Sequence, residues 1–326
     1  MSAPLLKVEN LRVEFDARAG AFRRRRFAAL HDLSFELAAG ETLGLVGESG
    51  SGKSTLARAV LRLLPAASGR VLWCGEDLLT LGAAAMRKRR RDLQIVFQDP
   101  LASLDARMTV GDILAEPLAI FESAIGAHAR RSRIGGMLER VGLSAAVMNH
   151  YPHEFSGGQC QRIGIARAMI LRPRLVVCDE VVSSLDVSIQ GQIVNLLQDL
   201  QHEFGMAMLF ISHNLAVVKH ISHRVLVLYL GKLVEVAPRD ALFAAPLHPY
   251  TRALLAAVPT IAERLARAPP WTLDGEPPSP WQTPPGCVFQ GRCAHAAPVC
   301  RIEAPPLEQA GERHLVSCHR FRELRV

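Results

Sequence analysis

"TLGLVGESGSGKSTLARAVLRLL", residues 42–64, decides how the rest of the chain is read. Thr42 to Val46 form a short apolar run of strand character. A loop of glycine and serine follows, and from Ser54 onward apolar residues recur at helical spacing. Gly47 to Ser54 fits the pattern G-x-x-x-x-G-K-S/T in full, with the strand before it and the helix after it that the pattern requires. Glycines let backbone N–H groups turn inward as a nest for an anion, and the helix behind adds the positive end of its dipole. Gly47, Glu48, Ser49, Gly50, Ser51, Gly52, Lys53, Ser54 and Thr55 are therefore read as a cradle for a nucleoside triphosphate. Lys53 is placed to reach the β- and γ-phosphates, and Ser54 to ligate Mg2+.

Strands and helices alternate on both sides of this loop. "LLKVENLRVEF" (5–15) alternates apolar and polar residues as a strand does, and a polar, arginine-rich loop is expected after it. "DLQIVFQDP" (92–100) reads as a strand ending at a proline. Residues 110–150 read as mostly helical. "RLVVCDE" (174–180) is a short, wholly apolar strand of the kind buried on both faces of a parallel sheet. An amphipathic helix, "SIQGQIVNLLQDLQHEF" (188–204), and the strand "MAMLFISH" (206–213) follow. "HRVLVLYLGKLVEVA" (223–237) reads as a hairpin turning at Gly231-Lys232. The alternation predicts an α/β fold with a mainly parallel sheet. Asp179, at the end of its apolar strand, is expected to hold Mg2+, and Glu180 beside it to polarise an attacking water. Two adjacent carboxylates after a buried strand are costly without a cation nearby.

The composition is that of a soluble globular chain: 49% hydrophobic and 21% charged over 326 residues. No run of 18 apolar residues occurs, so no membrane span is expected. "MSAPLLKVEN" lacks the basic and apolar regions of a signal peptide. The net charge of +7 rests largely on "FRRRRF" (22–27) and "RKRRR" (87–91). Neither run interleaves aromatics for base stacking, and both are read as solvated faces rather than a nucleic-acid footprint.

"FSGGQ", Phe155 to Gln159, opens the helix "QCQRIGIARAMI" shortly before the Asp-Glu strand. Here the chain resembles the ATP-binding-cassette family, whose signature is a Ser-Gly-Gly-Gln of this kind. Gln98 in "VFQDP" resembles the Q-loop, "SSLD" ending at Asp186 the D-loop, and His213 in "LFISH" the switch histidine, all in the family's order. The resemblance implies a P-loop ATPase cassette with a RecA-like core, an antiparallel β subdomain and a helical subdomain at about 100–170. It implies two cassettes joined head to tail around ATP, with Ser156, Gly157, Gly158 and Gln159 capping the γ-phosphate held by the partner. Glu180 would be the base, His213 would contact the γ-phosphate, and Gln98 would join Ser54 and Asp179 around Mg2+. Phe15 is the aromatic chosen to stack on adenine, with Phe22 and Phe27 as rivals. Two departures stand out: Val181, where the family usually has proline, which would loosen the loop to Asp186, and Asn214, where aspartate is common.

Longer stretches such as "IVFQDPLASLDARMTVGDILAEPL" and "SSLDVSIQGQIVNLLQDLQ" resemble the ATPase subunits of oligopeptide and dipeptide importers, nearest to the second of two unequal subunits. "LHPYTRALLAAVP" (247–259) matches that group's His-Pro-Tyr segment. This implies a cassette over residues 1–257 and an extension over 258–326. It also implies a second, homologous ATPase subunit, two membrane permease subunits, an extracytoplasmic solute-binding protein, and a peripheral place on the cytoplasmic face of the inner or plasma membrane. The competing readings are a soluble cassette ATPase acting on nucleic acid or ribosomes, and a catalytically weak subunit that completes its partner's site.

Four of seven cysteines sit in the extension: Cys287, Cys293, Cys300 and Cys318, beyond the proline-rich stretch 259–286. Their spacing is neither that of a zinc ribbon nor of a ferredoxin. A four-cysteine [4Fe–4S] cluster, which the resemblance favours, competes with structural Zn2+ aided by His295 or His319, and with free thiols. Cys74, Cys160 and Cys178 are read as small core residues.

Overall fold

The computed structural model describes residues 3–18, 24–183, 185–257, 278 and 284–324. Its contacts gather into two compact units, each assembled from separate stretches of chain.

The first unit takes residues 3–5, 37–42 and 80–212. Three parallel strands run through it in the order β8 (Ala207–Ile211), β7 (Leu175–Asp179), β6 (Leu93–Val96). Every residue of β7 and β8 is buried, which explains why both are continuous apolar runs. Helices α3 (Val110–Phe121), α4 (Ala127–Arg140) and α5 (Gly157–Met169) connect β6 to β7, and α6 (Val187–Phe204) connects β7 to β8. The basic run 87–91 falls at the end of α2 (Ala83–Arg89). There Arg87, Lys88 and Arg89 complement the negative end of the helix dipole.

The second unit takes residues 6–36, 43–79 and 213–324. One sheet runs β2 (Arg24–Leu37), β1 (Leu6–Arg18), β4 (Ser68–Trp73), β5 (Glu76–Asp77). The arginine-rich loop expected after residue 15 is shorter than expected, its residues 19–23 lying outside the described residues. β1 continues to Arg18 and β2 begins at Arg24. Arg26 pairs with Asp16 at 2.9 Å, and the Phe15 ring packs tilted against that of Phe27, centroids 5.7 Å apart.

The other strands of this unit follow the order β11 (Glu308–Gly311), β12 (His314–Val316), β10 (Lys232–Pro238), β9 (Arg224–Tyr229), β3 (Thr42–Val46). The β9–β10 hairpin turns one residue earlier than expected. Tyr229 pairs with Lys232, so Leu230 and Gly231 form a two-residue loop with φ of 44° and 71°. Such a turn needs positive φ at both positions, and leucine occupies the first. Cys74 and Gly75 make the same kind of turn between β4 and β5, at φ of 50° and 86°. Cys74 is therefore exposed rather than a core residue, while Cys160 and Cys178 are buried as expected.

The carboxyl-terminal chain is woven into this unit. β12 pairs antiparallel with β10, matching Glu235 with Val316. Glu235, 0% exposed, accepts the N–H groups of Leu247 and His248 at 2.8 and 3.0 Å and lies 2.7 Å from His314 Nε2. Burial pushes its carboxyl up, but these hydrogen bonds outweigh that and hold it below the usual carboxylate range. Val316 and Phe321 complete a small apolar cluster with Leu247.

Candidate active site

The phosphate-binding loop leaves the end of β3, whose five residues are all buried. Gly52 ends the loop at φ 104°, and a Cβ there would stand 2.9 Å from the Ala29 carbonyl oxygen, so glycine is required. Helix α1 (Lys53–Val60) starts immediately after. Lys53 is 5% exposed and its Nζ donates to the carbonyl oxygens of Gly47 and Glu48, both at 2.9 Å. Ser51 N–H donates to the Glu48 carbonyl at 3.1 Å, and the Ser51 carbonyl accepts Gly231 N–H at 2.8 Å. The loop's carbonyls are thus occupied around a buried ammonium. That leaves a glycine-rich loop and a helix N-terminus with the chemistry of a triphosphate cradle.

In the other unit, Asp179 ends β7 and is 3% exposed. Glu180 follows in a left-handed conformation, φ 51°, a strained state for a residue with a side chain. Three backbone contacts hold it: its N–H donates to Ile211 O at 3.0 Å, and its carbonyl accepts Ser183 N–H at 3.1 Å and the Ser183 hydroxyl at 2.9 Å. Gln98, just beyond β6, donates to the Glu180 carboxylate at 3.3 Å and lies 3.5 Å from Ser183 Oγ. The structure therefore brings Gln98 and Glu180 together. Val181 and Val182 are each 1% exposed, so burial holds this turn where a proline ring would have stiffened it. Ser184 lies outside the described residues. Asp186 is exposed at the start of α6.

Ser156 caps α5. Its Oγ accepts Gln159 N–H at 3.4 Å while Gln159 Oε1 accepts Ser156 N–H at 3.0 Å, a reciprocal box. Ser156, Gly157 and Gln159 are exposed and Gly158 is half-buried. His213, in the unit that holds the phosphate loop, is exposed. Asn214 caps α7 (Leu215–Ile221) by accepting the N–H groups of Ala216 and Val217 at 3.1 and 3.4 Å, so an amide serves where a carboxylate is common. Phe15 and Phe27 face one another and are both half-buried; Phe22 lies outside the described residues.

Cys287, Cys293, Cys300 and Cys318 line one cavity, together with His295, His319 and His248. Burial pushes the Cys287 thiol up to about 11, and the neighbouring cysteines add to the shift. Among the described residues, no group of three or more His, Cys, Asp or Glu is placed to hold a metal ion. Tetrahedral zinc needs its sulfurs within about 2.3 Å of one point, so the thiols as they stand do not fit that ion.

The aromatic and charged partners of the loop escaped sequence reasoning. Tyr250, 0% exposed in α8 (Pro249–Ala256), accepts Glu48 N–H at 2.8 Å. The only local hint was a charged residue inside a loop otherwise made of glycine, serine and lysine.

Residues 30–183 match the family described as ABC transporter, and residues 234–300 match the oligopeptide/dipeptide transporter C-terminal region. The chain is 52% identical over 319 residues to the oligopeptide transport ATP-binding protein OppF of Salmonella typhimurium, covering 96% of this chain and 95% of that protein. OppF of Escherichia coli is 51% identical over the same length and shares. Among solved structures, the ADP- and phosphate-bound dimer of the ATP-binding cassette MJ0796 has a TM-score of 0.65 at 27% identity, covering 72% of this chain and 98% of that one. The Clostridium perfringens cbiO1, part of the cbiONQ transporter complex, has a TM-score of 0.63 at 25% identity, covering 74% and 92%.

Proposed function

The chain belongs to the ABC transporter ATPases, in their oligopeptide and dipeptide import branch, and from that premise we propose that it is the subunit that binds and hydrolyses ATP to power peptide import through a membrane transporter. The observation that carries hydrolysis is Glu180, held on a strained backbone at the end of a buried strand with Gln98 on its carboxylate. A base poised by its backbone loses little freedom when it takes a proton from water.

Each role falls to a named side chain. Lys53 and the loop N–H groups would bind the phosphates, and Ser54, Asp179 and Gln98 would be the residues to hold Mg2+, which would supply charge neutralisation. Glu180 accepts the proton of the attacking water, Gln98 orients that carboxylate, and His213 contacts the γ-phosphate. Phe15, supported by Phe27, stacks on adenine. Asp186 lines the contact with a second cassette. Ser156, Gly157, Gly158 and Gln159 cap the ATP held by that cassette; their exposure supports such a role. The second cassette is a homologous but different subunit, so each site is made by both chains. Permease subunits and a solute-binding protein complete the importer. None of the described helices is long and apolar enough to cross a membrane, in keeping with a peripheral subunit. Residues 258–326 would be an extension in which Cys287, Cys293, Cys300 and Cys318 would hold a [4Fe–4S] cluster. What supports this is the cavity they share. Protein purified without oxygen should absorb near 400 nm and contain iron; a colourless sample sinks the cluster.

The deciding experiment is Glu180→Gln in the reconstituted transporter. It should keep ATP binding and lose turnover by at least about 100-fold. Unchanged turnover would assign hydrolysis to the partner's site and leave this chain a completing subunit.

A further inference from the structure

Glu48, the second residue of the phosphate-binding loop, spends its polar groups in two directions. Its carbonyl turns inward, accepting Lys53 Nζ at 2.9 Å and Ser51 N–H at 3.1 Å. Its other groups turn toward the carboxyl-terminal chain. Its N–H donates to Tyr250 Oη at 2.8 Å, and its carboxylate accepts both guanidinium ends of Arg292, at 2.7 and 3.1 Å. Arg292 immediately precedes Cys293. Its side chain is 7% exposed and that of Glu48 23%.

The pair is built rather than incidental. The Tyr229 ring lies 6.0 Å from the Arg292 guanidinium and packs on Tyr250 at 4.6 Å, and Phe289 meets both rings at 5.3 and 5.4 Å. Cys287 N–H donates to the Cys300 carbonyl at 2.8 Å, and Arg292 N–H to the Phe289 carbonyl at 3.1 Å. The arginine is thus set by the turn that the cysteines carry. A forked, mostly buried pair is screened far less than a surface pair and has one favoured geometry.

We propose that Arg292 is a positioning residue for the phosphate-binding loop, through which nucleotide affinity depends on the fold of the cysteine-bearing tail. The inference rests on the reading of residues 47–55 as the ATP loop. A tail that loses its order withdraws the guanidinium, and Glu48 then sits half-buried without its counter-charge next to the loop peptide that Lys53 engages. By reciprocity, nucleotide on the loop strengthens the tail.

The test is a double-mutant cycle on the full chain, with the dissociation constant of MgATP measured for wild type, Arg292→Gln, Glu48→Gln and the double variant. Each single change should weaken binding about tenfold, or about 1.4 kcal/mol. The double variant should weaken it no more than either single, since both remove one interaction. Arg292→Lys, which keeps the charge without the fork, should fall between wild type and Arg292→Gln. MgATP should also slow amide exchange over residues 286–293 in wild type and not in Arg292→Gln, an effect that a merely structural arginine would not produce. Should Arg292→Gln fail to fold, Glu48→Gln carries the same test from the loop side. Wild-type affinity in the single variants, or losses that add in the double, overturns the proposal. A wild-type chain that does not bind MgATP overturns the ATP-loop reading itself, and this inference with it.

Discussion

Lys53 shows what one residue contributes. Its buried ammonium donates to two loop carbonyls and thereby stores the loop's shape before any phosphate arrives. Lys53→Ala should lower the unfolding temperature slightly and abolish stabilisation by MgATP. In wild type that stabilisation should reach about 2.7 kcal/mol at a hundredfold excess over the dissociation constant. Calorimetric melting with and without nucleotide checks both. The residues of the loop, Glu180, Gln98 and the signature were legible because their chemistry demands particular residue types at short spacings. Cys74 was misread because a lone cysteine after a strand carries no sign of the turn it enters. Arg292 was invisible because its partner is 244 positions away, and no local pattern encodes such a pair.

At the level of elements, caps and buried pairs decide stability. Ser156→Ala removes the α5 cap and should cost about 1 kcal/mol in chemical denaturation. The same change should weaken activity of the assembled transporter, since Ser156 is proposed to cap a partner's nucleotide. Glu235 on β10 is a larger case. Glu235→Ala would strand two buried N–H groups and His314, and should destabilise by about 3 kcal/mol or more. Because its carboxyl is held below the ordinary value of 4.5, Glu235 adds stability that is fully present above that pH and is lost as pH falls through the depressed value. Stability measured from pH 6 down to pH 3 should therefore fall less steeply in Glu235→Gln than in wild type. The strands and helices themselves were legible from period and burial, β7 and β8 most clearly. The exceptions are the long β1 and β2 and the early hairpin turn, the last made by a leucine at positive φ.

Over the whole molecule, the order of elements followed from the alternation of patterns, but the place of the carboxyl-terminal chain did not. Its short strands are too brief to announce themselves, and they find their places only by pairing, β12 with β10 and β11 with β12. Ending the chain at residue 257 would remove Phe289, Arg292, His314, Val316 and Phe321 from the unit they complete. The truncated chain should melt at least roughly 10 °C below the full chain, the loss of the Glu48–Arg292 pair alone converted at this size. An equal melting temperature would show the extension to be a separate appendage.

The hairpin turns at Leu230-Gly231 and Cys74-Gly75 also differ in what an experimenter can do with them. Hairpin tips are usually safe places to insert or label. At Leu230-Gly231 they are not, because Gly231 donates to Ser51 O and accepts His31 N–H, both at 2.8 Å, so a tag there would pry at the phosphate loop. At Cys74-Gly75 the thiol is exposed and the space a Gly75 Cβ would occupy is empty. A fluorophore attached to Cys74 would report on the assembled transporter without touching the loop.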